Sequence, residues 1–285
     1  MSNTCFFVSD LHGRSTRYRA LWSRALAERP QALFLGGDLV PSGWAATVPG
    51  ASDFIREDLA SGFRELRDGL GSAYPRVFII LGNDDPRSEE EALQEGEGEG
   101  LWTYVHARSA ELAGRRVYGY ACVPPTPFLM KDWERYDVGR HVPPGSVSPE
   151  EGFRSVPEED HRIRWATIRN DLEELVGSDP VGDAVFLIHS PPHGTLLDRV
   201  AEDGKAVEHV PLDLHVGSVA VRRFIEERQP LLTLHGHIHE SARLTGSWRD
   251  RLGRTHLFSA AHDGPELALV RFRLDDLGSA SRELV

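Results

Sequence analysis

The sequence has few cysteines and no long hydrophobic run. Only two of its 285 residues are cysteine, Cys5 and Cys122, and each lies in an apolar, strand-like stretch. Two cysteines cannot build a disulfide framework, so both are expected to be buried thiols in a reducing compartment. The chain does not open with a basic segment followed by an apolar run, and no stretch has the length needed to cross a bilayer. We therefore expect a cytoplasmic protein that does not associate with membranes.

Positive charge is scarce relative to negative charge. The chain has 32 Lys and Arg against 44 Asp and Glu, which gives a formal net charge of -12 at pH 7. Proteins that bind long nucleic acids neutralise phosphates with clustered Lys and Arg, and the acidic tract Glu89-Glu90-Glu91, close in sequence to Asn83, would repel a long polyanion. The composition favours a small substrate over a long nucleic acid and makes a nuclease a weaker alternative. The oligomeric state is left open.

Short apolar runs alternate with helical patterns along the first third of the chain. The runs Cys5 to Val8, Ala32 to Leu35 and Arg76 to Leu81 read as buried strands, and amphipathic helices are expected between them. More strands are expected at residues 117–123, 184–188, 231–234, 256–259 and 267–272, and more helices at about 162–176 and 219–227. The acidic tract Ser88 to Gly100 is expected to be a solvated loop or a frayed turn. This alternation predicts a two-sheet α/β sandwich.

Composition and length favour a single domain spanning residues 1–285, because there is no internal repeat and no long linker. Residues 124–160 are rich in Pro, Gly and charge but also contain aromatic residues, so they are expected to form an ordered excursion over the site. Two interpretations are open. The segment could form a base-stacking wall with Lys131 or Arg135 near a phosphate, or a lid held by aromatic packing.

Polar side chains that can bind metals follow the predicted strands at the points where the strands end. The candidate ligands are Asp10, His12, Asp38, Asn83, His189, His237 and His239. Loops at the carboxyl ends of neighbouring strands converge, so these seven side chains can share one crevice. Mixed carboxylate and imidazole donors suit divalent ions of the Mn, Fe and Zn type, and a pair of ions needs a bridging carboxylate.

Each candidate also has a structural explanation when it is taken alone. Asp10 could cap the helix that follows it, Asp38 could be a turn residue after two glycines, and His189 could be a core histidine. The joint pattern favours metal binding, because five separate turn residues would otherwise fall at five strand ends by accident.

In this order the motifs Asp10-Leu11-His12, Gly36-Gly37-Asp38, Gly82-Asn83-Asp84-Asp85, His189 and Gly236-His237-Ile238-His239 resemble those of the calcineurin-like metallophosphoesterase superfamily. The resemblance implies a four-layer α/β/β/α sandwich of two mixed sheets flanked by helices, with a dinuclear metal site at the carboxyl ends of the strands.

The resemblance also implies a role for each ligand. Asp10, His12 and His239 would hold the first ion, and Asn83, His189 and His237 the second. Asp38 would bridge the two ions. Such a pair, with manganese favoured, would direct a metal-bridging hydroxide at the phosphorus of a phosphate ester.

The sequence departs from the superfamily pattern at one position. Family members commonly have His where this chain has Asp84, and that His assists the reaction or protonates the leaving oxygen. A carboxylate is not a cationic donor at neutral pH unless its pKa is strongly raised. His193, four residues beyond His189, could serve as the acid instead, or it could hold a loop. Arg14, just after the first motif, could touch the substrate or begin a helix.

The leading hypothesis is a metal-dependent phosphodiesterase that acts on a small diester, with a nucleotide as one candidate, because similar branches that lack this His prefer diesters. One alternative is a phosphomonoesterase. Another is a non-catalytic scaffold that keeps the phosphoesterase fold, although a scaffold has no need to maintain all seven donors.

Overall fold

The computed structural model describes residues 3–41, 53–201, 206–207, 210–211 and 213–285. The strands are β1 (Thr4–Val8), β2 (Ala32–Gly36), β3 (Arg76–Ile80), β4 (Thr103–Tyr104), β5 (Arg108–Leu112), β6 (Arg115–Tyr120), β7 (Val185–Ile188), β8 (Ala206–Val207), β9 (Val210–Pro211), β10 (Leu232–His235), β11 (Arg249–Leu252), β12 (Thr255–Ser259), β13 (Ala268–Arg273) and β14 (Asp276–Leu284). The α-helices are α1 (Ser15–Glu28), α2 (Ala60–Leu70), α3 (Glu90–Gly98), α4 (Asp160–Trp165), α5 (Ile168–Val176), α6 (Val219–Arg228) and α7 (Ser241–Thr245). A π-helical turn (Ile55–Leu59) precedes α2, and two 3-10 turns (Gly71–Ala73 and Arg87–Glu89) follow α2 and precede α3.

Two mixed six-stranded sheets form the centre of the fold. The first has the order β14-β13-β1-β2-β3-β4, and the second has the order β11-β12-β10-β7-β6-β5. In the first sheet β1, β2 and β3 are parallel neighbours, whereas β13 runs antiparallel to β1. In the second sheet β6, β7, β10 and β12 are parallel neighbours. The parallel strands at the middle of each sheet therefore end at one edge.

The central strands, such as β2, β7 and β10, are buried on both faces, which explains their nearly continuous apolar sequences. Phe6 and Val8 of β1 pack in a core cluster with residues of α1 and α2. Cys5 and Phe7 point the other way, into a second cluster that contains residues of β7 and β10. Because side chains alternate along a strand, one face meets the helices and the other meets the opposite sheet. The four-layer α/β/β/α arrangement implied by the sequence is confirmed.

The helices expected near residues 162–176 and 219–227 both occur, but the first is interrupted. It consists of α4 and α5, separated at Ala166 and Thr167. The Thr167 side chain accepts a hydrogen bond from the backbone N–H of Asn170 at 3.1 Å, so it caps a new helix. Ser218 caps α6 in the same way, by accepting from Val221 at 3.0 Å.

The expectation of a solvated loop or a frayed turn at Ser88 to Gly100 was wrong. Most of this tract is α3, whose Leu93 is fully buried. Trp102 donates its indole N–H to the Leu93 carbonyl at 2.8 Å. Its ring packs so closely on Gly96 that a Cβ at that position would lie 2.1 Å from the ring. The acidic residues lie on the outer face, where Arg64 pairs with Glu99 at 2.7 Å. Packing and ion pairs to α2 thus stabilise a helix whose composition alone indicates a loop.

The segment 124–160 is tied to the loop after β6 and to α5 by backbone hydrogen bonds. The backbone N–H of Val123 donates to the Trp133 carbonyl at 2.8 Å, and that of Ile168 donates to the Tyr136 carbonyl at 2.8 Å.

Cys5 and Cys122 are both buried thiols. Among the described residues, no helix is long and apolar enough to span a bilayer.

Candidate metal centre

The seven candidate ligands follow strands whose ends meet where the two sheets face each other. Within the first sheet, the backbone N–H of Asp10 donates to Gly37 at 2.9 Å, and that of His12 donates to Asp38 at 2.8 Å. The backbone N–H of His237 donates to the Asp10 carboxylate at 2.9 Å, and this bond joins the loop after β10 to the loop after β1. The convergence expected from the sequence is therefore present in the fold.

One group of donors lies around Asp10. Ligand atoms of Asp10, His12, Asp38 and His239 all lie within 4.8 Å of one another. Nε2 of His12 is 3.2 Å from Nε2 of His239, and the latter nitrogen is 3.1 Å from Oδ1 of Asp10. These four side chains come from three loops and face a common point.

A second group lies around His189. Its Nε2 is 3.3 Å from Oδ2 of Asp38 and 3.1 Å from Oδ1 of Asn83. The ring of His237 lies with its centroid 5.3 Å from that of His189. Nδ1 of His189 is 2.7 Å from the Gly36 carbonyl, so the ring is oriented with Nε2 toward Asp38. Asp38 thus contacts both groups of donors.

Four of the seven candidate ligands have a left-handed backbone. The φ angles are 57° for Asp10, 49° for His12, 52° for Asp38 and 73° for His237. Such angles are uncommon outside glycine, and they concentrate at functional sites where the surrounding structure enforces them. Here they turn each loop sharply enough to aim its donor inward.

Glycine is required beside the donors because the loops approach each other closely. A Cβ on Gly82 would lie 2.3 Å from Oδ1 of Asp38 and 2.7 Å from Cε1 of His189. A Cβ on Gly236 would lie 2.6 Å from Oδ2 of Asp10. Neither position leaves room for a side chain.

The buried carboxylates of the centre are stabilised by positive charge on the neighbouring histidines. Burial opposes ionisation of Asp10, but His239 and the neighbouring histidines outweigh it and hold the pKa of Asp10 well below its usual range. Burial also opposes a charge on His189, but Asp38 outweighs it and raises the pKa of His189 to about 9. For His239, Asp10 overcomes burial and raises the pKa to about 8. Ordinary histidines would be neutral at pH 7, so protons on these rings compensate the carboxylates.

These residues fit divalent metal ions. Oδ2 of Asp10 is buried and has no hydrogen-bond partner among the described residues, which is costly for a carboxylate oxygen unless a cation contacts it. Two imidazole nitrogens and two carboxylates facing one point are the donor set of the Mn, Fe and Zn class. Metal ions bound there would act as Lewis acids on a phosphoryl group and lower the pKa of a water.

Asp84 and Asp85 are adjacent but lie in different environments. The Asp84 side chain is 34% exposed, and its backbone N–H donates to Oδ1 of Asp38 at 2.8 Å. Asp85 is fully buried and accepts from the backbone N–H groups of Leu39 and Val40 at 2.8 and 2.9 Å. Burial and the Asp38 charge raise the pKa of Asp85 to about 8. Asp85 was named in the sequence motif without a role, and the structure shows that it joins the loops after β2 and β3.

His193 lies in a loop that contacts α6 and Asp213. Its Nε2 is 3.0 Å from Asp213, its ring is 6.0 Å from that of His215, and its backbone N–H donates to Ser218 at 3.0 Å. These are contacts of a residue that holds a loop. A role for His193 as general acid stays a prediction.

Arg17 supports the first loop, and sequence reasoning missed it. It is almost fully buried, and its guanidinium donates to the Asp10 carbonyl and, at 2.5 Å, to the Gly264 carbonyl. Arg14, which was singled out instead, lies at the start of α1 and donates to Gly264 at 3.3 Å. Arg17 lies one turn before Leu21 on the buried face of α1, but an arginine at that position does not stand out in an apolar pattern.

Of the two interpretations of this segment, the base-stacking wall with Lys131 or Arg135 near a phosphate is contradicted by the burial of both cations in ion pairs. Lys131 is fully buried and pairs with Glu134 at 2.5 Å. Arg135 is buried and pairs with Glu158 at 3.1 Å. Trp133 is also buried and donates its indole N–H to the Asp85 carbonyl at 2.8 Å. The segment is held by packing and internal ion pairs, as the alternative interpretation expected.

The sequence model of calcineurin-like phosphoesterases matches residues 4–241. The chain belongs to the calcineurin-like phosphoesterase family. This membership supports a metal-dependent phosphoesterase, and the donors around Asp10 are suited to divalent metal ions.

Solved structures share the fold at low sequence identity. The protein TT1561 of Thermus thermophilus is 16% identical with a TM-score of 0.58, and the match covers 99% of this chain and 98% of that one. A dimetal phosphatase from Danio rerio is 13% identical with a TM-score of 0.50, and the match covers 95% of this chain and 92% of that one. No curated protein matches this chain in sequence. At these identities the likeness concerns the fold alone.

Proposed function

We propose that this phosphoesterase is a two-metal phosphodiesterase that hydrolyses a small phosphodiester, with nucleotide diesters as one candidate class. The observation that carries the proposal is the position of Asp38. Its Oδ2 is 3.3 Å from Nε2 of His189 and 3.9 Å from Nε2 of His12, so one carboxylate faces both groups of donors. A bridging carboxylate of this kind is what two adjacent ions require.

These contacts support the ligand assignment that the resemblance implies. Asp10, His12 and His239 would hold the first ion, Asn83, His189 and His237 the second, and Asp38 both. Manganese is favoured because a set of carboxylate, amide and imidazole donors suits an ion that accepts both oxygen and nitrogen. The dimetal phosphatase that shares this fold is consistent with two ions.

Diesters are favoured over monoesters by the charge of Asp84. A phosphomonoester is largely a dianion at neutral pH, whereas a diester is a monoanion. Asp84 is partly exposed beside Asp38, where a substrate phosphate would approach, and a carboxylate there repels a dianion more strongly than a monoanion. The common His at this position would attract the dianion and supply a proton.

Comparing two chromogenic substrates tests the proposal. We expect the manganese-loaded protein to hydrolyse bis(p-nitrophenyl) phosphate with a higher kcat/KM than p-nitrophenyl phosphate. Asp84→His should shift this ratio toward the monoester. A wild-type preference for the monoester would contradict the diesterase assignment and support the monoesterase alternative.

The scaffold alternative has a separate outcome. A protein that binds stoichiometric manganese but hydrolyses no cyclic nucleotide, dinucleotide, phospholipid head-group diester or nitrophenyl ester would be a non-catalytic member of the family. Metal content should be measured on the same preparation, so that loss of metal is not mistaken for loss of chemistry.

A further inference from the structure

We infer that Asp84 is a positioning residue for His12, whose Nδ1–H it accepts so that Nε2 is presented to the metal. The inference rests on the proposed metal centre and gives a role to the residue at which this chain departs from its family. Asp84 would not replace the missing acid. It would strengthen a ligand instead.

The two ring nitrogens of His12 face in different directions. Nε2 points into the centre, 3.2 Å from Nε2 of His239 and 3.9 Å from Oδ2 of Asp38. Nδ1 faces outward, 3.5 Å from Oδ2 of Asp84. A metal-binding histidine uses one nitrogen as the ligand and donates the hydrogen of the other to an acceptor, often a carboxylate. The 3.5 Å separation of His12 Nδ1 and Asp84 Oδ2 places the two groups for this arrangement.

The backbone of Asp84 is held in place from two sides. Its own N–H donates to Oδ1 of Asp38 at 2.8 Å. The turn that carries it is closed by Asp85, which donates its N–H to the Gly82 carbonyl at 3.1 Å and accepts from the Gly82 N–H at 2.9 Å. The loop therefore fixes the distance of the Asp84 carboxylate from His12, and the terminal torsion of an aspartate is soft enough for an oxygen to face Nδ1.

The chemical consequence concerns the tautomer. A neutral imidazole has one N–H and one lone pair, so a hydrogen held on Nδ1 leaves the lone pair on Nε2. A carboxylate beside Nδ1–H also makes the ring a better electron donor to a metal.

Metal titration of three variants tests this role. Loss of an outer partner of a histidine ligand weakens metal binding about 10- to 100-fold, so we expect Asp84→Ala to bind Mn²⁺ at least about tenfold more weakly by calorimetry. Asp84→Asn keeps an oxygen that accepts Nδ1–H and should recover most of the affinity. Glu91→Gln is the matched control, since it removes the same charge from an exposed residue of α3. It should bind Mn²⁺ like the wild type.

A spectroscopic signature separates positioning from a general structural effect. In the zinc-loaded protein, the His12 Nδ1–H should give a slowly exchanging downfield proton resonance, identified by its loss in His12→Gln. We expect this resonance to be absent in Asp84→Ala and present in Asp84→Asn.

Several results would overturn the inference. These are equal Mn²⁺ affinity in wild type and Asp84→Ala, an Asn variant as weak as the Ala variant, a control as weak as either, or a wild type that takes up no Mn²⁺. None of these measurements requires turnover. If the four proteins bind Mn²⁺ in the expected order of affinity but the wild type hydrolyses no diester, the proposed function is contradicted and the role of Asp84 still stands.

Discussion

The segment 124–160 and the metal centre both bury charged side chains, but they compensate the charge in different ways. In the segment, each buried cation has a carboxylate of the chain beside it. Lys131 lies 2.5 Å from Glu134, and Arg135 lies 3.1 Å from Glu158. The segment 124–160 therefore supplies its own counter-charges and needs no ligand to neutralise them.

The metal centre lacks this internal compensation. Oδ2 of Asp10 has no donor among the described residues, and the charge around Asp38 is balanced only by histidines whose pKa must rise above the ordinary value. Buried charge that the chain leaves unbalanced marks a position for a cation, whereas buried charge that it balances marks a structural support.

The same substitution at two buried aspartates should have different consequences. Asp38→Asn removes the charge that faces both groups of donors, and metal ions contribute several kcal/mol to phosphoryl chemistry. We expect kcat/KM for the diester to fall by more than about a thousandfold, with loss of bound manganese. Asp132→Asn should keep metal and most activity, because Asp132 accepts backbone N–H groups of Arg87 and Ser155 at 2.8 and 2.9 Å.

Metal content measured by mass spectrometry and kcat/KM on the same samples decide this comparison. An Asp132→Asn protein that loses its metal as fully as Asp38→Asn would remove the contrast between the two regions.

Breaking the buried Lys131–Glu134 pair of the segment 124–160 should lower the stability of the protein without affecting its metal content. Lys131→Met leaves Glu134 buried without its cation, which costs about 3 kcal/mol in the free energy of unfolding. Adding Glu134→Gln should recover part of this loss, because the Thr126 backbone N–H, which donates to Glu134 at 2.9 Å, keeps an acceptor. Urea unfolding at pH 7 measures both effects. Dependence of the Lys131→Met defect on added manganese would show that the two regions are coupled.

The metal-free centre should lose stability as the pH rises. His189 and His239 have folded-state pKa values of about 9 and about 8, above the ordinary value near 6.5. A histidine with a raised pKa contributes stability that is complete below pH ~6.5 and lost as the pH rises through the folded value. We expect the chelator-treated protein to be at least about 2 kcal/mol less stable at pH 9 than at pH 6.5. Most of this loss comes from the buried His189, because solvent screens the partly exposed His239.

Metal should reverse this trend, because a bound cation displaces those protons and binds more tightly as they leave. The measurement is chemical denaturation at both pH values, with chelator and with manganese. Flat stability of the chelator-treated protein across this range would argue that the histidines are neutral and that the carboxylates have another counter-charge. Asp38→Asn should weaken the dependence, since Asp38 raises the pKa of His189.

Much of the framework could be predicted from the sequence because it depends on local patterns. Apolar runs such as Phe6 to Val8 are long enough to identify strands that are buried on both faces. The polar edge strands β5, β11 and β14 gave no such pattern and were missed. Edge strands meet solvent, so their residues are selected by pairing with a neighbour and not by burial.

The sequence by itself determined which donors follow which strands, since Asp10, Asp38 and His189 each come directly after an apolar run. Only the tertiary structure decided what neighbouring residues do. It buried Asp85 and exposed part of Asp84, turned Arg17 instead of Arg14 into the interior, and withdrew Lys131 into an ion pair. The physical reason is that charge is tolerated or required according to distant partners, and those partners are brought together only when the two sheets pack.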